Sequence, residues 1–206
     1  MNGGYAAMKY EAEVKELLIS NAIHLIAEGG FEKATTKELT HCGGNLASLK
    51  MNEAFIYRIF GSKEKLYEAA FRRLDDELYV AFRSGVEAVG IFEGNTKDKM
   101  LRFFYMAWDF IRGNEERCRC YVRYYYSVYF KGAAREEHGR LFEGMISNVK
   151  PIFKDEADVV SILHSVFITL FDFAIRVYNG DLEDSDINRP HIFNVLYCMM
   201  STYFNA

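Results

Sequence analysis

Only two prolines, Pro151 and Pro190, interrupt this chain of 206 residues. Proline breaks a helix interior by removing a backbone donor and crowding the preceding turn. A chain so free of it, with apolar residues recurring at a period of 3.6, points to long helices and an all-α fold. Both prolines fall where a helix is expected to begin or end. Half of the residues are apolar, enough for a substantial core and too many for a disordered chain. The length suits one large helical domain, or a small domain joined to a bigger one.

The first helix is predicted over about Met8–Glu28, with Val14, Leu17, Leu18, Ala22, Leu25 and Ile26 as its apolar stripe. Gly29 and Gly30 supply the left-handed exit that a Cβ would penalise. Thr35 opens a second helix, forming a Thr-x-x-Glu capping box with Glu38, and Gly43-Gly44 close it. A third helix covers roughly Asn52–Ile59. Gly61 and Ser62 break it, Ser62 being the N-cap of the next helix and Glu64 favouring its positive end. That fourth helix runs to about Val89, and Gly90 to Thr96 is the first plausible linker. Further helices are predicted at about Thr96–Arg112, Glu115–Phe130, Arg135–Val149, Glu156–Tyr178 and Ile187–Phe204. About nine helices result: a three-helix head over residues 8–72 and a larger body over 73–206.

The net charge of −4 divides unevenly. Residues 1–73 hold ten Lys/Arg and nine Asp/Glu, the remainder 15 and 20. Within Lys50–Arg73 six basic residues face three acidic ones. The positive charge is local, as a small DNA-reading head on an acidic body requires.

Two short helices joined at a glycine turn suit a helix-turn-helix, whose first helix crosses the DNA backbone while the second enters the major groove. Hydroxyls, basic side chains and helix N-termini supply phosphate contacts; Thr35, Thr36, Tyr57, Lys63 and the Ser62–Glu64 amides are the donors here. The run Ala27-Glu28-Gly29-Gly30-Phe31, then Thr35-Thr36-x-x-Leu39, Gly44, and Ile56-Tyr57-Arg58-Ile59-Phe60-Gly61-Ser62-Lys63-Glu64-Lys65-Leu66, resembles the tetracycline-repressor (TetR) family of bacterial transcriptional regulators over residues 10–72. The resemblance implies phosphate contacts at Thr36, Tyr57 and Lys63. It also implies a palindromic double-stranded DNA operator, a homodimer, and a small-molecule effector that moves the DNA heads. One departure stands out: 18 residues separate Leu39 from Tyr57, more than the family's spacing, and Asn45–Lys50 are the excess. They form either an extended turn or an added helical turn, and either choice changes what reaches the bases. The base-edge candidates are Lys50, Asn52, Glu53, Ala54 and Phe55.

Residues 101–130 carry 11 of the chain's 32 aromatics. Tyrosine pairs an apolar ring with a polar tip, which suits a cavity that must both pack and orient a ligand. The lining expected for an apolar or aromatic effector is Trp108 and Tyr125, then Tyr105, Tyr121 and Tyr129; a plain aromatic core is the alternative. The segment Glu156–Tyr178 is apolar on nearly every side, and the last helix bears Phe193, Leu196, Tyr197, Met200 and Phe204. Two such helices from each copy would build a four-helix dimer interface; burial inside a larger monomer is the alternative.

Asp158, His164, Asp172 and Arg176 interrupt the longest apolar stretch, so no membrane span is expected. No signal-peptide pattern opens the sequence, the four cysteines suggest no disulfide framework, and a cytoplasmic location is expected. Cys118-x-Cys120 lacks a second ligand pair, the five histidines are scattered, and no phosphate-cradling loop or nucleophile elbow occurs. No metal, cofactor or enzymatic activity is expected. The reading is a ligand-responsive regulator, expected to repress and to release DNA when a small molecule fills an aromatic pocket. Its rivals are a helical ligand-binding protein that has lost DNA binding through the lengthened turn, and a helical enzyme.

Overall fold

The computed structural model describes residues 2–41, 51–90 and 93–205, with side chains from residue 8 onward. The described residues are all-α. Nine helices are present among them: α1 (Asn2–Lys33), α2 (Thr36–His41), α3 (Ala54–Phe60), α4 (Lys63–Gly90), α5 (Thr96–Gly113), α6 (Glu115–Tyr125), α7 (Ala133–Val149), α8 (Val159–Tyr178) and α9 (Asn188–Ser201). The turn residues Gly43, Gly44 and Asn45–Lys50 lie outside the described residues.

Local chemistry places the helix ends. Gly30 adopts φ 75° and ψ −169°, a region open essentially to glycine alone, and kinks α1 there. The Thr35 hydroxyl accepts from the Glu38 N–H at 3.2 Å, and the Thr35 carbonyl accepts from the Leu39 N–H at 2.9 Å, so α2 starts where its capping box predicts. Gly61, at φ 83°, closes α3. The Ser62 hydroxyl then accepts from the Lys65 N–H at 3.2 Å and opens α4.

Helix α6 ends at Tyr125, five residues short of the predicted Phe130. Ser127 explains it: its hydroxyl donates to the Tyr124 carbonyl at 2.7 Å and accepts from the Tyr129 N–H at 3.1 Å. A side chain thus takes a backbone group that a continuing helix needs. Val128, beyond the end of this helix, is exposed. Asp158 caps α8, accepting from the Ser161 N–H at 3.1 Å, so that helix begins later than predicted. Pro151 sits in a short 3-10 turn, and Pro190 in the first turn of α9, where a missing N–H costs little.

The chain divides into two compact units. One comprises Met1–Asp75 with Glu116–Arg135; the other comprises Asp76–Glu115 with Glu136–Ala206. The expected boundary at residue 72 did not assign residues 116–135 to the first unit. Helix α4 supplies residues to both.

The core of the first unit is built from Val14, Leu18, Ala22 and Ile26 of α1, Leu39 of α2, Ile56 of α3, and Leu66, Tyr67, Ala70 and Phe71 of α4, all buried. Asn21, itself buried, donates to the Leu39 carbonyl at 2.8 Å and ties α1 to α2. In the second unit α9 packs on α8 and α5. By length and composition α8, with a mean hydropathy of 1.7, is apolar enough to cross a membrane. Here its Val166, Leu170, Phe171 and Ala174 are buried, while Asp172 and Arg176 remain exposed.

Candidate functional site

In the first unit α3 turns Ile56 fully inward and Tyr57 outward, Tyr57 being 53 % exposed. Adjacent residues on a helix point about 100° apart, so burying Ile56 commits Tyr57 to an outer face. Asn52, Glu53, Ala54 and Thr35 are exposed as well. Asn52 accepts from the Ala54 N–H at 3.0 Å, a local turn that starts α3. Glu53 accepts the hydroxyl proton of Thr36, bringing together a predicted phosphate contact and a predicted base-edge residue. Phe55 is only half exposed: its ring lies edge-on to Tyr10, with centroids 6.1 Å apart, and the Arg58 guanidinium sits 4.3 Å above it. Lys63 is half-buried, its ammonium 5.7 Å from the Tyr67 ring. Lys50 lies outside the described residues.

Glu64 follows at the positive end of α4. Its own backbone N–H and then the Ser62 hydroxyl hold its carboxyl below the ordinary carboxylate range. Beneath this surface the Tyr67 hydroxyl donates to the Ala34 carbonyl, and burial pushes that phenol far up.

Three of the five aromatics expected to line a pocket belong to the first unit instead. Tyr121 stacks on Phe71 with centroids 5.2 Å apart, and its hydroxyl approaches Asp75 at 3.4 Å. Tyr129 packs against Phe31 at 4.7 Å and Tyr67 at 5.5 Å. Tyr125 stacks on Tyr121 at 6.3 Å and lies 4.6 Å from Phe130. They join an aromatic core with Tyr124, whose phenol burial pushes up to about 12. The other two, Trp108 and Tyr105, are in the second unit. Trp108 is wholly buried, and its indole N–H donates to Asp184 at 2.9 Å. The same carboxylate accepts from Arg112 at 3.0 Å and from Arg189 at 2.7 Å. The Arg189 hydrogen bond, then those of Trp108 and Arg112, outweigh burial and lower the Asp184 carboxyl to about 2.

A cavity of about 400 Å³ opens within the second unit. It is lined from α4 by Phe82, Val86 and Val89, from α5 by Met100, Phe103, Phe104 and Ala107, and from α8 and α9 by Leu163, Val166, Phe167, Leu170, Phe193, Leu196 and Met200. None of the five predicted aromatics lines it. Tyr105 meets Phe104 edge-on at 5.4 Å, and Phe104 stacks on Trp108 at 5.8 Å. The predicted Trp108 therefore stands one layer behind the wall. The signal that could have found the wall is the α5 stripe Met100, Phe103, Phe104 and Ala107, which repeats at three- and four-residue steps.

No protein-family model and no curated protein matches the chain. Solved structures do. A TetR family transcription regulator from Marinobacter aquaeolei VT8 superposes with a TM-score of 0.71 at 13 % identity, over 93 % of this chain and 97 % of that one. The chain has the TetR-family fold. A TetR-like transcriptional regulator from Rhodococcus sp. RHA1 aligns over 90 % of this chain and 92 % of its own, at 16 % identity and a TM-score of 0.59. The fatty acid degradation regulator FadR from Bacillus halodurans aligns over 88 % and 96 %, at 15 % identity and a TM-score of 0.60. Along nearly the whole length, the TetR fold is shared while the side chains have diverged.

Proposed function

We propose that the chain is a ligand-responsive, DNA-binding transcriptional regulator that acts as a homodimer and releases its operator when the cavity of the second unit is filled. The observation that carries this reading is the outward Tyr57, beside the Ser62-capped start of α4 and within the TetR fold. Tyr57 is exposed, as a phosphate contact needs. Thr35, Thr36, Tyr57 and Lys63 are the proposed backbone contacts, with Asn52, Glu53 and Ala54 the exposed candidates for base edges.

The effector reading rests on α4. Phe82, Val86 and Val89 of this helix line the cavity, and the same helix begins at Lys63 in the head. A ligand that favours one setting of α4 shifts the population of head positions, and only some head spacings span successive major grooves. The dimer reading rests on exposed apolar residues of the last two helices: Val160 (52 %) and Ile168 (37 %) on α8, and Val195 (45 %) on α9. Pairing that face in a two-fold dimer matches a palindromic operator.

A band-shift assay with the DNA upstream of the chain's own coding region tests the regulator reading. Retardation at moderate salt supports it. Absence of retardation even at low salt, where phosphate contacts are strongest, rules it out and leaves a ligand-binding protein.

A further inference from the structure

We propose that the cavity of the second unit takes a single-chain anionic amphiphile, its tail among the buried apolar residues and its carboxylate at Lys99. This inference rests on reading that cavity as the effector site. The lining changes character from one end to the other. Phe104, Ala107, Leu170, Leu196 and Met200 are buried and bring no polar side-chain group. Thr96 and Asn148 are exposed and Lys99 is half-buried, so the polar side chains gather at the solvent end.

Among the described residues no aspartate or glutamate lines the cavity, and no carboxylate pairs with Lys99. A cationic ligand would meet like charge there. A ligand polar at both ends would bury its inner group without a hydrogen-bond partner, which disfavours it. An apolar chain with one anionic end satisfies both ends of the site. A methylene occupies about the 30 Å³ share of a liquid water, so 400 Å³ accommodates a tail of roughly a dozen carbons. Met100, Met145 and Met200 in the wall are unbranched and adaptable, which tolerates some variation in tail length.

The test compares dodecanoate, dodecan-1-ol and dodecyltrimethylammonium as probes of the intact chain, each below its micelle-forming concentration. Trp108 is the sole tryptophan and stacks on the cavity residue Phe104, so its fluorescence reports occupancy; calorimetry measures affinity independently. Dodecanoate is expected to bind roughly ten-fold more tightly than the alcohol, the worth of a charge-assisted hydrogen bond at a partly wet site, with the ammonium weakest. Lys99→Met should erase the carboxylate's advantage and leave the alcohol unchanged. Equal affinities for all three probes, or a Lys99→Met variant that binds dodecanoate as before, would overturn the head-group assignment while leaving the cavity as an effector site. Binding of none of them would overturn both. No DNA enters the assay, so a chain that fails to bind an operator is still judged here on the cavity alone.

Discussion

The hydroxyl of Thr36 donates to the carboxylate of Glu53, 17 residues further along the chain. The contact joins the start of α2 to the residue preceding α3, and it places a negative charge beside a proposed phosphate contact. An approaching phosphate must displace or repel that carboxylate. Glu53→Ala removes the charge and frees the Thr36 hydroxyl, so non-specific DNA affinity is expected to rise by roughly five-fold at low salt. Fluorescence anisotropy with two unrelated duplexes would measure it. A fall confined to one operator sequence would instead make Glu53 a base reader.

Tyr57 and Lys63 carry the backbone grip in this account. Tyr57→Phe combined with Lys63→Ala removes one hydroxyl and one cation without touching buried Ile56 or Leu66. Affinity should drop across all sequences, and the slope of log affinity against log salt should shrink by about 1, one phosphate neutralised fewer. Titrations at several salt concentrations read both quantities. An unchanged slope would remove Lys63 from the interface.

Gly30 holds the kink between the long first helix and Ala34. A Cβ there would lie 3.6 Å from the Arg123 guanidinium, an ordinary contact, so space is not the obstacle. The backbone is. At φ 75° and ψ −169° any L side chain is strained, and Gly30→Ala should cost on the order of 1–3 kcal/mol in urea unfolding. The Arg123 side chain donates to the Ile26 carbonyl at 2.9 Å, satisfying one end of the interrupted helix. Arg123→Ala should therefore be destabilising as well, by about 1 kcal/mol.

The head was legible because its signals are local. Thr35 with Glu38, Gly61, and Ser62 each act within one helical turn, and the α1 stripe closes on itself. Ile56 and Tyr57 then follow from helix geometry alone. The pocket was not legible from aromatic density, because density does not say which neighbour a face will meet. Tyr121, Tyr125 and Tyr129 could line a void or fill a core with equal propensity, and the choice depended on Phe71, Tyr67 and Phe31, distant in sequence. The cavity wall is mostly aliphatic and phenylalanine side chains from five helices. Each reads as ordinary core until the helices are placed and a space is left between them. Ser127 illustrates the same limit at short range, since nothing in the helical pattern of 115–130 announces that a hydroxyl will stop it.

Asp184 binds Arg189, Trp108 and Arg112 together, and it offers a pH-dependent test of the second unit's stability. Its folded carboxyl lies at about 2, below the ordinary 3.8. The contribution is therefore complete above the unfolded value and lost as pH falls from near 4 towards 2. Solvent still reaches both guanidiniums, which reduces the gain to about 1–2 kcal/mol. Asp184→Asn keeps an oxygen acceptor for the Trp108 indole but removes the charge that Arg189 and Arg112 meet. Urea midpoints of the two proteins should differ by a constant amount above pH 5 and converge below pH 4, with Trp108 fluorescence as the readout. A difference that persists undiminished to the lowest pH at which the chain stays folded would mean that shape rather than charge makes Asp184 matter.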